Sequence, residues 1–167
     1  PPMSTMTRGS ALVSTKIQRA HHERLAVVYV RQSRPQQLIR HPESTRGQYG
    51  LVDRALALGW PQAQVVVIDE DLGKSADSAS ERSGFQRLVA EVSLAHVGMI
   101  LGLEMSRLAR SNRDWHQLLE VCALFGTLLG DLDGIYDPTD YKDRLLLGLK
   151  GAMSESVLHV LKLSIQA

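Results

Sequence analysis

The chain has 167 residues, enough for one good core and too few for two ordinary domains. Apolar residues make up 44% and charged residues 22%, and no run approaches the roughly 18 apolar residues of a membrane span, so a soluble globular protein is expected. A single cysteine, Cys122, excludes an internal disulfide and a cysteine-rich zinc site, and net charge of +1 is low for a dedicated nucleic-acid binder.

Residues 1–23 carry Ser, Thr, Arg and Lys with no acid before Glu23, which suits a flexible basic arm better than a transit peptide. His21 and His22, without further ligands nearby, are expected to be solvated. LAVVYV (25–30) is a short β-branched run of the kind that forms a buried strand. The polar stretch 31–45, broken by Pro35 and Pro42, reads as a loop. Residues 48–59 place Leu51, Val52, Ala55 and Leu58 on one helical face, with Gly59 as a stop. QVVVI (64–68) is a second strand, followed by the acidic loop DEDLGKSADSASER. Phe85, Leu88, Val89 and Val92 mark a helix over 83–92, and VGMILGL (97–103) a third strand.

Asn112 is the expected cap of the next helix, whose apolar stripe is Trp115, Leu118, Leu119, Cys122 and Phe125, closed by Gly126. Cys122 on that stripe reads as a buried structural thiol. TLLGDLD (127–133) is a fourth strand. From Asp140, an expected N-cap, a helix is predicted to continue to about Val160. Leu146, Leu149, Met153, Ser156, Val160 and Leu163 form an apolar seam at spacings of three and four. Such a helix, about 37 Å long, exceeds what one small domain covers. Strands alternating with helices imply a mainly parallel α/β sheet of about four or five strands with helices on its faces and a long C-terminal helix. The units are the arm (1–23), an α/β domain (24–138) and the long helix (139–167).

In open parallel sheets ligands bind at the carboxyl ends of the strands. Arg31 and Ser33 follow the first strand; Asp69, Asp71 and Arg82 flank the loop after the second; Glu104, Ser106, Arg107 and Arg110 follow the third. The chain has no Walker-type phosphate loop, no GxGxxG fingerprint and no GxSxG elbow around Ser33. A serine among arginines suits phosphoryl transfer, because guanidinium forks match phosphate oxygens and stay charged near pH 7. By position alone Ser33 could equally cap a turn, and Arg107 and Arg110 could form a solvated helix face with Glu104.

YVRQS (29–33), Arg82 ahead of GFQRLV, and SRLARSNRDW (106–115) together resemble the resolvase/invertase family of serine recombinases. DLDGIYDPTDYKDRLLLGLKGAMSE (131–155) is similar to the large serine recombinases within it, and the resemblance covers about residues 25–160. It implies a resolvase-like fold and a site-specific recombinase of double-stranded DNA. Ser33 would be the nucleophile, forming a 5′-phosphoserine link, and Arg31, Arg82, Arg107 and Arg110 would hold the phosphate. Tyr29, Gln48, Asp69, Asp71 and Ser106 would support them, with Gln37 near a further family glutamine.

The resemblance further implies no metal, no cofactor and no membrane partner. Strand exchange would occur in a homo-oligomer, a dimer that becomes a synaptic tetramer, in a cytoplasm of bacterial or phage origin. The C-terminal helix would be the synaptic and DNA-contacting element, and further DNA-binding domains would lie beyond Ala167. The sequence departs from the family pattern at Ser106, often aspartate, at Ala76 after Ser75, often glycine, and at Val157 and Ser164, often glutamate and arginine. Two rival readings are a non-catalytic assembly module of the same fold and a metal-dependent nuclease using Asp69, Asp71 and Glu104.

Overall fold

An uninterrupted apolar run can bury both faces of a strand, and β1 (Leu25–Tyr29) does so inside a sheet, between two neighbouring strands. The computed structural model describes residues 15–30, 47, 49–69, 83–103, 105, 108–109, 111–152 and 163–165. The sheet has five strands in the order β2-β1-β3-β4-β5, completed by β2 (Val65–Ile68), β3 (Val97–Leu101), β4 (Leu128–Gly130) and β5 (Ile135–Tyr136). β1 to β4 pair in parallel, and β5 runs antiparallel to β4. Each strand expected from the sequence is present, although β3 and β4 are shorter than their apolar runs. β5 was not foreseen. Asp131 Oδ1 accepts the backbone N–H groups of Asp133 and Gly134, at 2.9 and 3.1 Å, and so reverses the chain after β4.

Side chains alternate between the two faces. Val27 and Tyr29 of β1 join Ile100 and Leu129 under α3 (Ser83–Ser93), α4 (Asn112–Phe125) and α5 (Tyr141–Ala152). Ala26, Val28 and Val30 join Met99, Leu101 and Leu128 on the other face, covered by α2 (Leu51–Ala57) through Leu51 and Ala55 and by Leu58 and Trp60 beyond it. Gly59, with φ of 109°, turns the chain after α2. The cap of α4 is Ser111 and not Asn112: its Oγ accepts the backbone N–H of Asp114 at 3.2 Å, and its own backbone is extended. Gly126 closes that helix in the left-handed conformation.

The expectation of a solvated arm across 1–23 does not match residues 15–23. They pack at the amino edge of the sheet, with a short helix α1 (Arg19–His22). His22 Nε2 lies 2.9 Å from the carbonyl of Leu58, and its ring meets Trp60 edge-on at 4.5 Å. Trp60 donates to the carbonyl of Arg24 at 3.0 Å, and Arg24 in turn donates to that of Phe125. Burial holds the imidazole of His21 below its ordinary pKa. The carbonyl of His21 passes so close to Gly98 that a Cβ there would sit 2.1 Å from it, so only glycine admits the segment. The histidines are packing groups; residues 1–14 lie outside the described part.

The C-terminal helix starts as expected, Asp140 accepting the N–H of Asp143 at 3.1 Å. Residues 153–162 lie outside the described part, and with them continuity to Val160 and the seam residues Met153, Ser156 and Val160. Among the described residues of the helix, the buried stripe runs through Asp143, Leu147 and Lys150. Leu147 is fully buried, Leu146 only packs against the core partly, and Leu163 is 55% exposed. The indole of Trp115 sets this stripe: it donates to the carbonyl of Leu147 at 2.7 Å.

Cys122 is wholly buried, as expected, and burial pushes its thiol far above the ordinary 9.0. A pKa raised on folding contributes stability below the unfolded value and loses it as pH rises past that value. Between pH 9 and 10, unfolding should therefore become easier by about 1 kcal/mol through this thiol. Cys122→Ala should remove that slope in urea titrations. An unchanged slope would assign the alkaline loss elsewhere. From pH 10 Tyr136 adds to it, since burial and Asp131 push its phenol up to about 12.

Candidate active site

Parallel pairing delivers the carboxyl ends of neighbouring strands to one edge. Tyr29 stands opposite Ile68 of β2, and Val28 opposite Leu101 of β3. The N–H of Val30 reaches the carbonyl of Ile68 at 2.9 Å, and that of Gly102 reaches Gly130 at 3.0 Å. The residues just before Arg31, just after β2 and just before Glu104 are therefore lateral neighbours. The chain order reverses between β1 and β3, which makes this edge a topological switch point.

Four buried side chains define one face of the edge. Tyr29, 2% exposed, meets Phe85 edge-on at 6.4 Å, and both belong to the cluster that holds Met105 and Leu108. Phe85 lies three residues after Arg82, while Met105 and Leu108 bracket Arg107. Leu108 is close enough to Gly102 that a Cβ there would be 2.6 Å from its Cδ1, so the loop after β3 folds tightly back on the strand end. The tyrosine is thus a packing residue that ties the end of β1 to the start of α3.

Asp69, the residue after β2, is exposed and accepts the phenol of Tyr49 at 2.6 Å, a length typical of a charge-assisted bond. That carboxylate raises the Tyr49 pKa above its ordinary value. Tyr49 went unnoticed in the sequence, where an aromatic at the start of an amphipathic stretch looks like any surface residue. The remaining candidates, Arg31, Ser33, Gln48, Asp71, Arg82, Ser106, Arg107 and Arg110, lie outside the described residues, as do Gln37 and Glu104.

A second feature of the same edge was also unforeseen. Lys150 of α5 is 4% exposed, and its Nζ lies 3.1 Å from Asp131 Oδ2 and 2.9 Å from Asp133 Oδ2. The ammonium stands 5.2 Å from the centre of the Tyr136 ring. A single lysine within a leucine-rich stretch is the one sequence signal that could have pointed to it.

No helix among the described residues is long and apolar enough to cross a membrane. The chain is 54% identical over 154 residues to the uncharacterized protein y4bA/y4pH of Sinorhizobium fredii, covering 92% of this chain and 22% of that protein. It therefore spans about a fifth of that relative. In structure it is similar to the N-terminal catalytic domain of TP901-1 integrase, with a TM-score of 0.55 at 20% identity, over 86% of this chain and 99% of the other. The resolvase N-terminal domain matches residues 26–164, nearly the whole sheet and its helices. By that match the chain belongs to the resolvase N-terminal domain family, the serine recombinases.

Proposed function

We propose that this domain cuts and rejoins double-stranded DNA through Ser33. Its hydroxyl attacks a backbone phosphorus, the bond to the 3′ oxygen breaks, and that oxygen leaves as a 3′-hydroxyl after gaining a proton. The 5′-phosphoserine conserves the bond energy, so attack by a 3′-hydroxyl reverses the step and needs neither metal nor nucleotide. Arg31, Arg82, Arg107 and Arg110 neutralise the phosphate oxygens as charge builds on them, and Asp71, Gln48 and Ser106 support the arrangement.

One observation carries the reading: the described residues beside Arg82 and around Arg107 share a buried cluster with Tyr29, two residues before Arg31. One face of one edge thus anchors the chain at each arginine-bearing segment. Strand exchange takes place between copies of the protein, a dimer that joins a second dimer at synapsis. Sequence-specific affinity comes from segments outside these residues, in keeping with the low net charge. Incubating the full-length protein with its DNA site in EDTA should yield a covalent protein–DNA adduct bearing a free 3′-hydroxyl. Cleavage that EDTA abolishes would favour a nuclease using Asp69, Asp71 and Glu104, although Asp69 is already engaged by Tyr49. Binding without any adduct would favour the assembly module.

A further inference from the structure

The leucines of α5 do not by themselves say which way the helix faces. Leu145, Leu146, Leu147 and Leu149 cover most of its circumference, since each residue advances the helix by about 100°. Hydrophobic burial would accept a stripe through Leu146 and Leu149 about as readily as one through Leu147. The observed stripe is bounded by two charged groups on the same face, Asp143 one turn before Leu147 and Lys150 one turn after it, both buried.

Each charged group is held by a different part of the chain. Asp143 accepts the backbone N–H of Asp137 at 2.9 Å and pairs with Lys16 at 2.8 Å. Lys16 also donates to the carbonyl of Ile135 at 2.8 Å. Lys150 pairs with Asp131 and Asp133 in the turn between β4 and β5. Tyr136 lies between the two ammonium groups, its ring centre 5.9 Å from Lys16 and 5.2 Å from Lys150. Turning α5 by one residue would take both Asp143 and Lys150 off their partners and leave buried carboxylates uncompensated. A leucine meeting another leucine has no such penalty. Buried ion pairs contribute little net stability yet are strongly unfavourable to break, which makes them selectors of register.

We propose that Asp143 and Lys150 are positioning residues that set the rotation of α5. Leu147 then faces the sheet while Tyr141 and Leu145, 84% and 52% exposed, are presented outward as a contact face for a second copy of the chain. The part concerning the second copy rests on the strand-exchange reading above; the rotational setting does not.

Thiol labelling tests the setting without DNA. Cys122 is buried, so cysteines introduced singly by Leu145→Cys and Leu147→Cys report their own exposure. In the parent, the first should label at least about tenfold faster than the second, because a packed site reacts only through local opening. The pair Lys150→Met with Asp131→Asn removes the buried Lys150–Asp131 ion pair and keeps an oxygen for the Asp133 and Gly134 N–H groups. It should still melt cooperatively, with the labelling contrast reduced to about threefold or less. A cooperatively folded pair with the parental contrast overturns the proposal. Should the pair fail to fold, Lys16→Met decides: it strips Asp143 of its ammonium partner, so an undiminished contrast overturns the proposal equally.

In the full-length protein, the pair should bind the DNA site at the parental level and give about tenfold less adduct and rejoined product, since register affects the assembly in which cutting takes place. Parental levels of rejoined product despite a collapsed contrast would overturn the assembly part. Absence of adduct in parent and variant alike would count against the strand-exchange reading and leave the labelling result standing.

Discussion

Replacing Ser33 with alanine in the full-length protein is expected to abolish the covalent adduct while leaving affinity for the DNA site nearly unchanged. A nucleophile acts in the bond-making step, and one neutral hydroxyl adds little to ground-state binding. Arg107→Ala should lower the cleavage rate by about 10²-fold or more, the effect of removing a charge partner from a transition state. Its buried neighbours Met105 and Leu108 anchor the surrounding loop, so the loss should come without a change in melting temperature. Gel-resolved adduct formation beside a binding titration separates these effects. Adduct at the normal rate from the Ser33→Ala protein would mean that another group attacks the phosphate.

The second large effect concerns stability. Trp115 is 2% exposed and donates to Leu147, and its ring occupies the space where a side chain at Gly151 would begin. A Cβ at Gly151 would lie 2.0 Å from Cδ1 of the indole, a distance that requires the ring or the helix to move. Trp115→Ala should cost about 3–5 kcal/mol, and Gly151→Ala about 1–3 kcal/mol through overpacking. The two should not add. Once the indole is gone, alanine at 151 meets an empty space and gains about 1 kcal/mol of helix propensity, so the second change becomes neutral or favourable. Denaturant unfolding of the four proteins measures the cycle. Additive losses would mean that the glycine is not held open for the tryptophan.

Local signals were read well where burial is continuous. LAVVY and VGMIL are strands whose residues are all buried apart from the half-buried Leu25, and the Phe85, Leu88, Val92 stripe of α3 follows one helical face. What escaped the sequence depends on partners far along the chain. Lys16 meets Ile135 across 119 positions, and His22 meets Leu58 across 36, so residues 15–23 looked solvated. β5 has two residues, too few to show a period, and its presence follows from the side chain of Asp131. Which face of α5 turns to the sheet is not legible from leucine spacing, which admits several, and the choice among them is ionic. For the candidate site, the strand-end edge was legible from alternation. The chemistry came from the residue types and the family resemblance, while the Tyr49–Asp69 bond is a side-chain contact that no spacing announces.

The interior position of β1 has a consequence for synthesis of the protein. It is made before every other strand of the sheet, and both its neighbours come later, β2 about 40 residues on and β3 about 70. Until Leu101 has been made, Ala26, Val27 and Val28 have no sheet on one side, whatever cover α2 and α3 give their faces. A nascent chain stalled or clipped before that point exposes an apolar, β-branched segment with free hydrogen-bonding edges, the type that pairs with other chains. Fragments ending near residue 95 should therefore collect in inclusion bodies or on chaperones, whereas fragments that include β4 and α4 have the partners needed to bury it.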